Sequence, residues 1–400
     1  MKGQPEAGGT VVMFSTADWA APCWTNKQHI ARRLAERGYT VLYIETVGLR
    51  RPSINSLDLT RIIRRLRSGL KPPRRVGERL WVLSPLTLPL GQRHGFVRHF
   101  NAWILRTAIR LWLRRHGDGT PPLVWAYHPY MLEAISGLKR SALVYHCVDN
   151  IAAVPGVDAT AFAQAEEALL ARADAVFTTA PALQAHCARI APHTTHYFPN
   201  VADLAHFAQA RHAGAVPPEL AAIAGPRLGF IGTLTDFKVD FALLEHVALA
   251  RPDWHLVVIG DEREGQADPV LERMRRLDNV HMLGWRPYAV LPDYLRGLDV
   301  ALLPLLLNDH TRAVFPMKFF EYLAAGCPVV ATSLPALADF SSYCRLTDSA
   351  EAFMEGISNA LTAPQVIPEN DPVLMENNWD RRLDKMLAVL GPEAARAGLG

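Results

Sequence analysis

FPMKFFEYLAAGCPVVAT, residues 315–332, decides how the rest of this 400-residue chain is read. Its apolar residues recur at helical spacing up to Gly326, which suits the left-handed position that ends a helix. The β-branched run at 329–331 then reads as a short buried strand. A helix delivered straight into such a strand is half of a parallel α/β unit. Lys318 opens the helix and Glu321 follows one turn on. Free N-terminal amides and an ammonium suit a diphosphate, and a carboxylate one turn away suits ribose hydroxyls. On spacing alone, an ordinary surface Lys–Glu pair at i, i+3 accounts for them better.

Outward from this segment the same alternation repeats. Strands are expected at 227–231, 255–259, 280–283, 300–303 and 329–331, with helices at 241–250, 269–277, 290–297, 319–325 and 350–361. An earlier series of strands falls at 11–14, 40–45, 80–83, 123–127, 142–147, 175–178 and 195–198, with a helix at 26–37 closed by Gly38. Such alternation predicts an α/β chain of two doubly wound, Rossmann-like domains, each a parallel sheet covered by helices on both faces. Ligands of such folds bind beyond the carboxyl ends of the strands, so two domains are expected to face a cleft. Between the series the pattern lapses into Ala, His, Gly and Pro217, Pro218 and Pro226. The expected division is 1–202, a connection at 203–226, 227–375, and a C-terminal helix and tail at 376–400 that returns to the first domain.

Composition narrows the function classes. Half the residues are hydrophobic and a fifth are charged, enough for two cores. No run approaches the roughly 18 uncharged apolar residues of a spanning helix, and the N-terminus shows no signal-peptide pattern. Cys23, Cys147, Cys187, Cys327 and Cys344 are scattered, with no CxxC pair, which argues against a structural zinc or a disulfide framework. A cytoplasmic protein is expected. Residues 1–116 hold 21 Lys/Arg against 6 Asp/Glu, so an anionic partner is expected there. Leu59, Ile62, Ile63 and Leu66 line one helical face, with Arg61, Arg64, Arg65 and Arg67 around them and Lys71, Arg74 and Arg75 following. A second helix at 97–115 sets Arg106, Arg110 and Arg114 at i+4 spacing near Trp103. Either these are core-facing stripes with a solvated basic back, or Arg61, Arg64, Arg65, Arg106 and Arg110 face an anionic membrane surface. Nucleic acid fits less well, because no recognition motif accompanies the charge.

Two strand ends in the first series carry polar groups, His128 after 123–127 and Asp149 after 142–147. Either is a candidate catalytic group, Asp149 as a general base; loop hydrogen bonding or helix capping is the alternative. No D-x-D-like acidic pair follows a strand, so no metal and no other cofactor is expected.

The segment 315–332 resembles the donor-binding signature of the GT-B glycosyltransferases, in particular glycosyltransferase family 4 (group 1) and its teichuronic-acid and exopolysaccharide-type members. FIGTLTDFKVDFALLEHVALARPDWHLVVIG (230–260), HMLGWRPYAVLPDYLRGLDVALLPL (281–305), HYFPNVADLAHF (196–207) and ENNWDRRLDKML (376–387) resemble successive segments of that family, so the similarity covers nearly the whole chain. The resemblance implies a hexosyltransferase-type enzyme that binds a nucleotide sugar, most readily a UDP-sugar. It places Gly232, Lys238, Arg286 and Lys318 toward the donor and Glu321 on its ribose. It also sets His128 near the donor sugar and Asp18 and Trp19 on the acceptor or donor-sugar side. Two positions depart from the family: Ala313 stands where a second glutamate precedes Glu321, and Ser15-Thr16-Ala17-Asp18-Trp19 replaces a glycine pair. Together with the basic face, this implies a peripheral enzyme on the inner membrane face, moving sugar to a lipid-linked or polysaccharide acceptor in exopolysaccharide or cell-envelope synthesis. A nucleotide-sugar epimerase of the same architecture, or a non-catalytic membrane-associated glycan-binding subunit, would be the alternatives.

Overall fold

The computed structural model describes residues 8–21, 24–45, 72–85, 95–154, 157–262 and 268–395. The chain divides into two compact units, one of Met1–Thr179, Leu183–Phe198 and Leu383–Gly400, the other of Ala180–Ala182 and Pro199–Arg382.

The first unit is built on an eight-stranded sheet. Its strands are β1 (Thr10–Phe14), β2 (Thr40–Ile44), β3 (Arg74–Gly77), β4 (Leu80–Leu83), β5 (Leu123–Ala126), β6 (Ala142–Cys147), β7 (Ala175–Thr178) and β8 (Thr195–Tyr197), in the order β3-β4-β2-β1-β5-β6-β7-β8. All neighbours are parallel except β3 against β4. The central strands are buried along their whole length, which is why their sequences are continuous apolar runs rather than alternating ones. Helix α1 (Asn26–Glu36) follows β1, α2 (Gly95–His116) precedes β5, and α3 (Ala159–Leu170) follows β6. Strand order reverses between β1 and β5, so the loops after these two strands open onto the unit's topological switch point.

The second unit has six parallel strands: β9 (Arg227–Ile231), β10 (His255–Ile259), β11 (Val280–Met282), β12 (Val300–Leu303), β13 (Val329–Thr332) and β14 (Arg345–Thr347), in the order β11-β10-β9-β12-β13-β14. Helices α4 (Phe241–Ala250), α5 (Lys318–Ala325) and α6 (Ala350–Thr362) cover it. Side-chain alternation divides the core into two clusters. Ile231, Val257, Ala301 and Ala331 pack with α5 on one face; Phe230, Val258, Leu302 and Val330 pack with α4 and α6 on the other. The reversal here lies between β9 and β12.

Several expectations differ from this arrangement. Strands β3 and β14 were not anticipated, because both are edge strands without an apolar run, and edges are kept short and charged. Arg74 and Arg75 therefore do not extend a basic helix: Arg74 Nη2 lies 3.5 Å from Glu45 Oε1, and the Arg75 guanidinium covers the Trp81 ring. The expected helix at 269–277 ends at Met274, and that at 290–297 is a single-turn piece, Tyr288–Val290, leading into Leu291–Leu295. Residues 203–226 are not bare connection. Phe207, Ala210 and Leu220 are buried in the second unit's core, and Asn200 Nδ2 donates to Phe315 O at 2.7 Å. The last helix, α7 (Trp379–Ala395), carries the chain from the second unit to the first at Leu383, and Arg37 Nη2 meets Asp384 Oδ1 at 2.9 Å.

Candidate functional site

In the second unit, α5 leads from the β12 loop to β13, and its N-terminus lies at the carboxyl end of the sheet. Phe319, Phe320, Tyr322, Leu323, Ala324 and Ala325 are all buried, so α5 is a core helix. Its only charged residues, Lys318 and Glu321, form an ion pair at 2.5 Å, with the Glu321 side chain 5% exposed and that of Lys318 26%. A carboxylate this buried is retained at a desolvation cost, unlike the surface pair that the spacing allowed. Gly326 adopts the left-handed conformation expected, φ 82°. Arg211 donates to Leu323 O and Ala324 O, each at 2.6 Å, satisfying the helix's last carbonyls and opposing its negative end.

Glycines floor the site. Gly232 N–H donates to Ile259 O, and Gly260 N–H to Gly284 O, each at 3.0 Å, so the residues that follow β9, β10 and the end of β11 lie backbone to backbone. A Cβ on Gly260 would stand 1.8 Å from Gly232 O. Sequence reasoning named Gly232 but not Gly260 or Gly284. The signal was there: each follows one of three successive strands.

Past β9 the ladder to β12 ends at Gly229–Ala301, and the hydroxyl of Tyr322 accepts the Ile231 N–H at 3.0 Å. Tyr322 thereby ties the Lys318–Glu321 helix to the Gly232 loop. A bridge between Val239 and Leu305 and a 2.8 Å bond from Asn308 Nδ2 to Phe237 O join the two loops that flank the switch point. Lys238 lies in this loop, half-buried, its ammonium 5.0 Å from the centroid of the Phe237 ring. It has no acidic partner among the described residues.

Arg286, expected toward the donor, is engaged by groups of its own unit. Its guanidinium is held by Glu219 Oε1 at 3.2 Å, by Trp285 O at 3.1 Å and by the Tyr294 hydroxyl, so all three nitrogens are engaged within the unit. Ala313 is buried in the turn Thr311–Ala313 and offers no carboxylate, and Asp309 is exposed.

In the first unit, the loops after β5 and β6 present His128 and Asp149. His128 is 2% exposed, and its Nδ1 accepts the Tyr130 N–H at 3.2 Å. Burial, with the Lys27 ammonium adding to it, pushes the imidazole down to about 3. The ring is thus neutral and, with Nδ1 engaged as acceptor, carries its proton on Nε2. In this state it offers Nε2–H as a hydrogen-bond donor. Asp149 is half-buried, and its carbonyl accepts the Ile151 N–H at 3.1 Å.

Lys27, which sequence reasoning passed over as an ordinary helix residue, is 7% exposed in the first turn of α1. Its ammonium stands 5.6 Å from the Tyr127 ring centroid. Desolvation lowers its pKa, and the charge of Asp149 partly restores it.

After β1, the Ser15–Trp19 loop is closed by side chains. Ser15 Oγ donates to the Tyr43 hydroxyl at 2.6 Å, and Tyr43 donates to Ala17 O at 2.8 Å. The Trp19 ring packs on Trp24 and Tyr43, and its backbone N–H donates to Glu45 Oε1 at 2.9 Å, whereas Asp18 is exposed.

Of the basic stripe, Arg61, Arg64 and Arg65 lie outside the described residues. Arg106 packs against Gly137, and Arg110 Nη2 donates to Gly137 O at 2.6 Å, so both serve the contact of α2 with the helix Leu132–Ile135. The outer face of α2 shows Phe100, Trp103 and Leu111, at 39%, 57% and 60% exposure, beside Arg110 and Arg114.

Residues 225–363 match the family described as "Glycosyl transferases group 1". A 109-residue stretch is 38% identical to the putative teichuronic acid biosynthesis glycosyltransferase TuaH of Bacillus subtilis, spanning 27% of each chain. Among solved structures, sucrose-phosphate synthase from Thermosynechococcus elongatus has a TM-score of 0.67 at 16% identity, covering 95% of this chain and 98% of its own. HepE of Anabaena, in complex with UDP and glucose, has a TM-score of 0.64 at 16% identity, covering 96% and 100%. An Escherichia coli trehalose-6-phosphate protein bound with UDP-2-fluoro glucose has 0.64 at 14%, covering 95% and 98%. At such identities these structures speak for the fold.

Proposed function

We propose that this chain, an α/β protein of GT-B architecture whose second unit is a group 1 glycosyltransferase domain, transfers a sugar from a UDP-sugar to a glycan hydroxyl. The observation that carries the reading is the Lys318–Glu321 pair, set at the N-terminus of a buried helix that Tyr322 ties to the strand leading into Gly232. Ammonium groups and free amides of that kind stabilise the charge that grows on a departing diphosphate. Gly232, Gly260 and Gly284 place no side chain beside the carboxyl ends of β9, β10 and β11, which is where a diphosphate would lie. Glu321 would accept from the ribose hydroxyls, Lys318 would turn from Glu321 toward the diphosphate, and Lys238 would meet the same group. Arg286, through Glu219 and Tyr294, would hold the loop after β11 in shape.

In the transfer, the bond from the sugar C1 to the diphosphate oxygen breaks and a bond from C1 to the acceptor oxygen forms. The acceptor's proton is given up. Asp149 takes that proton if the transfer inverts configuration; if it retains configuration, the proton passes to the departing diphosphate oxygen and Asp149 orients the hydroxyl. His128, a fixed donor, would bond a sugar oxygen. One relative of the fold in complex with UDP and glucose, another bound with UDP-2-fluoro glucose, and the name of TuaH support a UDP-sugar donor and a cell-envelope glycan. The exposed Phe100–Trp103–Leu111 face, flanked by Arg110 and Arg114, supports a lipid-linked acceptor met at an anionic membrane surface.

A thermal-shift panel of nucleotides and nucleotide sugars tests the donor. UDP and one UDP-sugar should raise the melting temperature, and a flat panel overturns the reading. Sedimentation with vesicles containing anionic lipid tests the surface. Binding equal to that on neutral vesicles, or no loss on Trp103→Ala, removes the membrane from the account.

A further inference from the structure

The first turn of α1 is unusual in burying four polar side chains together: Asn26, Lys27, Gln28 and His29. Three of them have partners. Gln28 completes a capping box with Thr25 and donates to Asp18 O at 3.1 Å, His29 Nδ1 meets Arg33 Nη1 at 3.4 Å, and Asn26 is also engaged. Lys27 alone in this turn has no hydrogen bond or ion-pair contact among the described residues, only the face of Tyr127 at 5.6 Å. A buried ammonium without such a partner is costly, and a helix of this length gains nothing from it.

Its position gives the reason. α1 follows β1, while Tyr127 and His128 follow β5, the two strands between which the sheet order reverses. Lys27 acts electrostatically on both His128 and Asp149. His128 offers Nε2–H, Lys27 offers ammonium hydrogens, and Asp149 offers carboxylate oxygens, with Lys27 and Asp149 not joined directly. A free anion would meet the charge of Asp149, and a cationic ligand that of Lys27. A neutral hydroxyl meets neither. It accepts through two lone pairs and donates one proton, the complement of two donors and one acceptor.

We propose that Lys27, His128 and Asp149 form a clamp for one sugar hydroxyl at the first unit's switch point, with Lys27 a substrate-binding residue. The hydroxyl accepts from Lys27 Nζ and His128 Nε2 and donates to Asp149. This rests on the transferase reading and adds a residue to it. The hydroxyl is one of the donor sugar's, since an attacking acceptor oxygen must keep a lone pair free of such bonds.

The experiment uses the full chain, with UDP and UDP-glucose as probes. Calorimetry gives the affinity of each, and UDP release from UDP-glucose, with water as acceptor, gives kcat and KM. Lys27→Met should bind UDP within about twofold of wild type, lose at least about tenfold in kcat/KM, and melt no lower than wild type, since the buried charge is gone. Lys27→Arg should keep more activity than Lys27→Met. Lys27→Met/Asp149→Asn should lose less than the two single losses combined, as expected for groups on one ligand. Lost preference for UDP-glucose over UDP in Lys27→Met assigns the hydroxyl to the donor sugar. Kept preference for UDP-glucose over UDP in Lys27→Met overturns the clamp. Wild-type kcat and KM in Lys27→Met overturns the clamp. So does a melting temperature that falls with kcat in Lys27→Met and recovers in neither respect in Lys27→Arg. Failure of the wild type to bind UDP at all overturns the transferase reading beneath it.

Discussion

The two switch points of this molecule share a topology and differ in what fills them. In the second unit three glycines strip the strand ends of side chains, and the charge comes from the entry of α5. In the first unit the corresponding loops are closed by Ser15, Tyr43 and Trp19, and the polar groups are an ammonium, a neutral imidazole and a carboxylate. A bare backbone with cations suits phosphate oxygens, which accept many hydrogen bonds and bring charge. A charge-balanced set of side chains suits hydroxyls, which bring none. The doubly wound fold thus supplies a crevice, and the residues on its lip decide the chemistry.

The comparison is broken most severely by filling the glycine floor. Gly260→Ala puts a methyl 1.8 Å from a backbone oxygen, where no side chain can give way. Its φ of +153° adds strain. We expect a loss of about 3 kcal/mol or more in urea unfolding, with UDP binding gone. A normal midpoint and normal UDP affinity would show that the close approach does not matter.

Removing the acid tests the chemistry rather than the space. Glu321→Ala should weaken UDP about 100-fold by calorimetry, as loss of charge-assisted bonds to ribose hydroxyls would, and Lys318→Ala about tenfold. Wild-type affinity in both variants would mean that the pair is structural.

The smallest effect sharpens the first unit. His128 is held below its ordinary 6.5, at about 3, so the unfolded chain takes up the proton first. The stability tied to its neutral form is complete above pH 6.5 and is lost as pH falls toward 3, at up to about 1.4 kcal/mol per unit. His128→Gln should flatten that part of the stability–pH curve. In turnover, no His128 ionisation should appear between pH 5 and 9. A rate step in that range that vanishes in His128→Gln would make the imidazole a base after all.

What the sequence determined by itself was local. Continuous apolar runs announced buried parallel strands, and Gly326 announced the end of α5, because helix period and cap chemistry are written within a few residues. Lys318 and Glu321 were legible as a pair, though not as a buried one. The edge strands Arg74–Gly77 and Arg345–Thr347 were silent because an edge is recognised by its neighbour, not by its own pattern. Tertiary structure alone decided that Lys27 is buried, that Arg286 is engaged by Glu219 and Tyr294, and that Gly260 lies on Gly232. In each case the deciding partner arrives from a distant segment. Burial and electrostatics are properties of that meeting, and no window of sequence contains it.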